Sequence, residues 1–168
     1  MNDLAGWERR MSDLDARLRP IAKRPIAFSD LKLIGFRKRR PHPLDEAGIR
    51  PEAEALLEEL LDAYRDGEEP TRAAIRGLLK SCSSFTWAAA LPYPPTTEAG
   101  FRRHLLLFSM EDQGRDTRDA IMWLQDLCKR AGEAGVVIGS ILREIAALSS
   151  DENKYGMGST RGLLLRAV

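Results

Sequence analysis

From residue 50 onward, apolar residues recur at steps of three and four, the spacing that places them on one face of a helix. Ala53, Leu56, Leu57, Leu60, Leu61 and Tyr64 form one such stripe, which opens after Pro51 and closes near Gly67. A second stripe carries Ala74, Ile75, Leu78, Leu79 and Cys82, and restarts at Pro70. Phe101, Leu105 and Phe108 define a third behind a Thr96 or Thr97 cap. Leu106 and Leu107 widen it, as in a central helix covered on more than one side. The clearest stripe is Ala120, Trp123, Leu124, Leu127, Cys128 and Ala131. Asp116 caps its start, Asp119 sits in the first turn where the helix dipole favours negative charge, and Gly132 marks its stop. In this stripe Trp123 reads as a core anchor. Val137, Ile138, Ile141, Leu142, Ile145 and Leu148 predict the next helix, and Ser159 or Thr160 caps a last short one with Leu163, Leu164 and Leu165.

Upstream the pattern thins. Leu4, Trp7, Met11, Leu14 and Leu18 make a narrow seam on an otherwise charged helix, which Pro20 and Pro25 break. Within residues 26–36, Leu31, Leu33 and Gly35 alternate like a strand, whereas Ser29-Asp30 could cap a short helix. An extended segment is the preferred reading there.

The expectation is an all-α, single-domain irregular helical bundle of six to eight helices. Its helical cores fall at 53–64, 71–82, 98–110, 117–131, 137–149 and 159–167. The helix–short loop–helix rhythm of the C-terminal half is weakly HEAT-like, in antiparallel hairpins, but no residue signature repeats. A chain of 168 residues suits one domain. Residues 1–50 read as an N-terminal helix plus a basic connection packed on a helical core at 51–168.

Charge is distributed unevenly. Residues 1–50 hold 12 Lys/Arg against 7 Asp/Glu, residues 51–70 hold 1 against 8, and residues 71–168 hold 13 against 10, for a net +1. Such a total argues against a general polyanion binder. The basic run Arg37, Lys38, Arg39 and Arg40 is nevertheless the best candidate for a nucleic-acid contact, although only Phe36 adjoins it and the acidic 52–69 stretch could neutralise it. No positively charged start leads into an apolar run, and no stretch approaches about 18 apolar residues. A cytoplasmic protein without a membrane partner follows. Arg outnumbers Lys 20 to 6, as in GC-rich bacterial genomes.

Candidate chemistry is sparse. The two histidines, His42 and His104, and the two cysteines, Cys82 and Cys128, show no zinc spacing, so no metal or cofactor is expected. Both thiols read as buried and free, with a disulfide between them left open. His104 is the only plausible base for a nucleophile, and it borders a buried stripe. The turn Gly156-Met157-Gly158-Ser159-Thr160-Arg161-Gly162 could hold an anion at a helix N-terminus, yet no strand or Gly-Lys-Ser/Thr motif accompanies it. Glu111, Asp112, Asp116 and Asp119 gather carboxylates that capping and turn roles already explain.

Three functional expectations follow. The first is a non-catalytic protein-binding module, such as an adaptor or a bacterial immunity-type inhibitor that plugs a toxin. The second is a nucleic-acid-binding regulator using Arg37–Arg40. The third is an enzyme whose site assembles only in three dimensions. In an antiparallel bundle the 111–116 and 150–158 loops share one rim. That rim would gather Glu111, Asp112, Arg115, Asp151, Asn153, Lys154 and Tyr155 against another protein, with Tyr155 as its aromatic anchor.

Overall fold

The computed structural model describes residues 4–22, 42–81, 90–110, 117–149 and 159–168. The described residues form eight helices and no strand. They are α1 (Leu4–Ala22), α2 (Pro43–Glu46), α3 (Arg50–Asp66), α4 (Glu69–Ser81), α5 (Glu98–Met110), α6 (Thr117–Glu133), α7 (Ile138–Leu148) and α8 (Thr160–Arg166). One buried apolar cluster draws residues from all eight. No described helix is long and apolar enough to cross a membrane.

Two helices carry most of that cluster. The α3 stripe is buried as its spacing predicts, from Ala53 through Leu56, Leu57, Leu60 and Leu61 to Tyr64. Pro51 enters its first turn, where a missing N–H costs no intrahelical bond, and Glu52 complements the dipole there. On α5, Phe101 and the run from His104 to Phe108 are buried, so this helix is enclosed on several sides. Arg103 ties α5 to α3 through Glu58 at 2.5 Å and Asp62 at 3.4 Å.

The narrow seam of α1 lies on α3 by Trp7, Met11, Leu14 and Leu18, all buried. Trp7 Nε1 donates to Glu59 at 2.7 Å, while Arg17 pairs with Glu52 at 2.7 Å. As residue numbers rise along α1 they fall along α3, so the two helices run antiparallel. Arg72 of α4 then donates to the Tyr64 carbonyl at 3.1 Å, satisfying an open acceptor at the end of α3. Downstream, α7 packs on α5 and α8. Arg102 joins Glu144 of α7 at 3.2 Å, and Val168 lies 3.6 Å from where a Cβ of Gly139 would sit. The end of α8 therefore meets the start of α7.

Several local expectations need correction. Pro20 does not end α1, which continues to Ala22. So close to the C-terminus, the proline removes only one of the last backbone bonds. Gly132 lies inside α6, and the left-handed residue that follows the helix is Gly135 at φ 70. There Gly135 N bonds Gly132 O and Val136 N bonds Ala131 O, so the capping glycine lies three residues after Gly132 and the helix runs on to Glu133. Val137 is the residue preceding α7 and is 80% exposed, because the helical period begins only at Ile138. Leu165 is exposed, since three consecutive leucines cannot share one face of a short helix. On α4 only Ile75 is fully buried, with Leu78 and Leu79 partly so. Trp123 packs against the core cluster from its edge and is not fully enclosed in it. It is half-buried and stacks on Phe108 with centroids 5.0 Å apart.

Helix α2 had no apolar stripe to announce it. His42 caps it by accepting from Leu44 N through Nδ1 at 3.2 Å. The segment buries Leu44 and Ile49 completely and turns through Gly48 at φ 66. The segment around 26–36 lies outside the described residues.

Candidate functional site

The residues around His104 assemble the most elaborate polar constellation in the described chain. The chain enters α5 through a proline-rich loop, Ala90–Thr97, whose inner residues Ala90, Leu91 and Pro95 are buried. Thr97 Oγ1 accepts from Gly100 N at 3.1 Å, which satisfies an open donor in the first turn of α5. A Cβ on Gly100 would lie 3.2 Å from Pro95 Cβ, so the bare glycine lets the loop press against the helix. One turn further, His104 Nε2 donates to the Pro92 carbonyl at 3.0 Å. The peptide bond between Tyr93 and Pro94 is cis.

Tyr93 is 49% exposed, yet it is held on several sides. Its ring meets His104 edge-on, with centroids 5.6 Å apart. Its hydroxyl donates to Asp126 of α6. Arg130, one turn after Asp126, donates to the same carboxylate at 2.7 Å and places its guanidinium 5.2 Å from the Tyr93 ring centroid. The Tyr93 hydroxyl and the Arg130 guanidinium hold the Asp126 carboxyl below the usual carboxylate range. Burial, followed by the bond to Asp126, pushes the Tyr93 hydroxyl up. Met122 stands one turn before Asp126 on α6 and is 57% exposed, extending this face with an adaptable apolar side chain.

A cavity of about 230 Å³ lies between α3, the loop and α5. Pro92, Pro94 and Pro95 wall it, Thr96 and Thr97 line it beside them, and Glu54, Glu58, Arg103 and His104 supply its titratable groups. Arg103 reaches Glu58 through Nη1 and Asp62 through Nη2, while its Nε is buried without a hydrogen-bond partner among the described residues. Glu54 is half-buried, and its carboxylate acts on the Arg50 guanidinium through space. Arg50, one turn before it, is engaged by Asp45, with Nη2 donating at 2.9 Å.

This geometry decides what His104 can do. Burial is the main cause that lowers its pKa, only partly offset by the Pro92 carbonyl, so the ring is neutral near pH 7. Its Nε2–H is bonded to the Pro92 carbonyl, so His104 holds the loop against α5, and the proton-accepting lone pair is that of Nδ1 on a buried ring. The Cys128 thiol is free and half-buried, pushed up by burial, and lies 3.9 Å from the Ala167 carbonyl. A raised pKa suppresses the thiolate on which cysteine chemistry depends. Ser159 caps α8 by accepting from Gly162 N at 3.0 Å, and Thr160 is buried. No cluster of His, Cys, Asp or Glu able to hold a metal occurs among the described residues.

The other candidates from the sequence lie outside the described residues. These are the rim of Glu111, Asp112, Arg115, Asp151, Asn153, Lys154 and Tyr155, the basic run Arg37, Lys38, Arg39 and Arg40, the turn at 156–158, Asp116 and Cys82. Tyr93, Asp126 and Arg130 escaped sequence reasoning because no spacing links a proline loop to a helix more than 30 residues later. The i, i+4 pair Asp126/Arg130 was the only signal available, and such pairs usually mark a solvated helix face. No family model, curated protein or solved structure matches the chain.

Proposed function

We propose that the protein is a non-catalytic protein-binding module, an adaptor or an immunity-type inhibitor, whose contact surface centres on Tyr93. The observation that carries this reading is a tyrosine half in solvent and yet pinned by His104, Asp126 and Arg130. Ordering a free aromatic side chain on binding costs entropy, and a ring already fixed avoids most of that cost. Tyr and Arg are enriched among interface hot spots, and loops held on a rigid scaffold are frequent binding sites. The neighbouring prolines restrict the loop further, and Met122 supplies apolar surface that can adapt to a partner.

Affinity capture with quantitative mass spectrometry tests the proposal, using the parent, Tyr93→Ala and Leu165→Ala. Leu165 is an exposed apolar residue of α8, which meets α6 near Cys128. Cys128 lies about 200° around that helix from Asp126, so Leu165 serves as a distant control. The expected result is a protein enriched by the parent and by Leu165→Ala but reduced at least about fivefold by Tyr93→Ala, the effect of losing more than about 1 kcal/mol. Equal enrichment by all three would reject the surface.

A further inference from the structure

We infer that the cavity between α3 and α5 receives a basic side chain, lysine or arginine, from the protein that contacts Tyr93. The inference rests on the binding role proposed above and specifies what the partner must offer. Glu54, Glu58, Arg103 and His104 are the titratable groups that line the cavity. His104 is neutral near pH 7, and the Arg103 guanidinium is balanced by Glu58 at 2.5 Å. One carboxylate is left over, that of Glu54. Its nearest cation along α3, Arg50, is held in a two-point pair by Asp45 and acts on Glu54 only through space. The cavity is therefore net negative, and the imbalance sits on a side chain free to accept hydrogen bonds.

The shape fits the same ligand. A volume of about 230 Å³ lies below the roughly 300–1,000 Å³ typical of small-molecule sites, but suffices for one side chain. Pro92, Pro94 and Pro95 present ring methylenes along the wall, against which an aliphatic stem can lie. Lysine and arginine combine such a stem with a charged head. The head would reach Glu54, where a charge-assisted hydrogen bond in a partly enclosed site is stronger than in open solvent. Tyr93 lies between Pro92 and Pro94, which line the cavity, and its ring meets His104, which lines it too, so one partner segment could cover the ring and insert the cation together.

Titration of the full-length protein with three capped amino acids, followed by amide NMR, tests this. The probes are Nα-acetyl-lysine amide, Nα-acetyl-arginine amide and the neutral Nα-acetyl-norleucine amide. The expected result is saturable shifts at Thr97, Gly100 and Arg103 with at least one cation, about tenfold tighter than with norleucine, as one charge-assisted bond implies. Glu54→Gln should remove that advantage while leaving resonances away from the cavity unchanged. Saturation by lysine alone identifies an ammonium as the ligand, and by arginine alone a guanidinium. Equal binding of norleucine, an undiminished response in Glu54→Gln, or no saturable shift with either cation overturns the inference. If the cations fail while Tyr93→Ala still loses the captured protein, the cavity assignment falls and the binding surface stands. If the cations bind but capture ignores Tyr93→Ala, the binding surface falls instead.

Discussion

Replacing His104 by Gln should flatten the pH dependence of stability across the range where an ordinary histidine titrates. His104 is 5% exposed, and burial lowers its pKa in the folded state. The unfolded chain takes up a proton as pH falls through about 6.5, before the folded ring does. The stability present above that pH is therefore lost on acidification, at up to about 1.4 kcal/mol per pH unit, until the folded ring itself titrates. Glutamine keeps an N–H able to donate to the Pro92 carbonyl, now served at 3.0 Å by Nε2, but it cannot titrate. It also forfeits the edge-on contact with Tyr93, worth about 0.5–1.5 kcal/mol, so the variant starts lower at neutral pH. Urea denaturation of both proteins from about pH 5 to about pH 7.5 reads the effect directly. Every other titrating group is common to the pair, so the difference between the two curves belongs to His104. The gap should narrow as pH falls. Parallel curves would show that His104 is not held neutral, and the account of how the loop is fixed would fail.

Other consequences can be checked in the same melts. Trp123→Ala should cost about 1.5–3 kcal/mol, less than the roughly 3–5 of a fully buried large aromatic, because the indole is only partly buried where it stacks on Phe108. A larger loss in urea would mean that the indole is enclosed. Gly132→Ala should stabilise by about 0.5–1 kcal/mol, since the position is helical and nothing lies within 4 Å of the added Cβ. Gly135→Ala should destabilise by about 1 kcal/mol or more, because its φ of 70 is costly for any residue with a Cβ. A reversed order in thermal melts would place the end of α6 at the first glycine after all. Ile75→Ala should cost about 2–5 kcal/mol as the one fully buried side chain of α4. A loss below about 1 kcal/mol would show that α4 is held elsewhere.

The helical architecture was largely legible from periodicity. Buried stripes such as Ala53–Tyr64 declare both the helix and its inner face, because burial and the 3.6-residue period act on the same residues. What escaped was set by single backbone positions or by partners distant in sequence. Gly132 and Gly135 both look like helix stops, and only the backbone conformation separates them. Helix α2 has a single turn, too short for any period, and rests on the His42 cap and the burial of Leu44 and Ile49. The candidate site was least legible. His104 stood out as an isolated base, yet its partner is a backbone carbonyl that no side-chain pattern encodes. Tyr93 and Asp126 meet across 33 residues, with the loop, α5 and α6 all required to bring them together.

Site-specific photo-crosslinking at position 93 tests the proposed contact surface most directly. Benzoylphenylalanine in place of Tyr93 retains an aromatic ring at the half-exposed position, and the same group at Leu165 provides a distant control. Irradiation in the native host should give one discrete protein adduct from position 93 and none of that mass from position 165. Glu54→Gln in the same chain should weaken the adduct if a basic side chain enters the cavity. No adduct from position 93, or the same adducts from both positions, would contradict a binding surface centred on Tyr93.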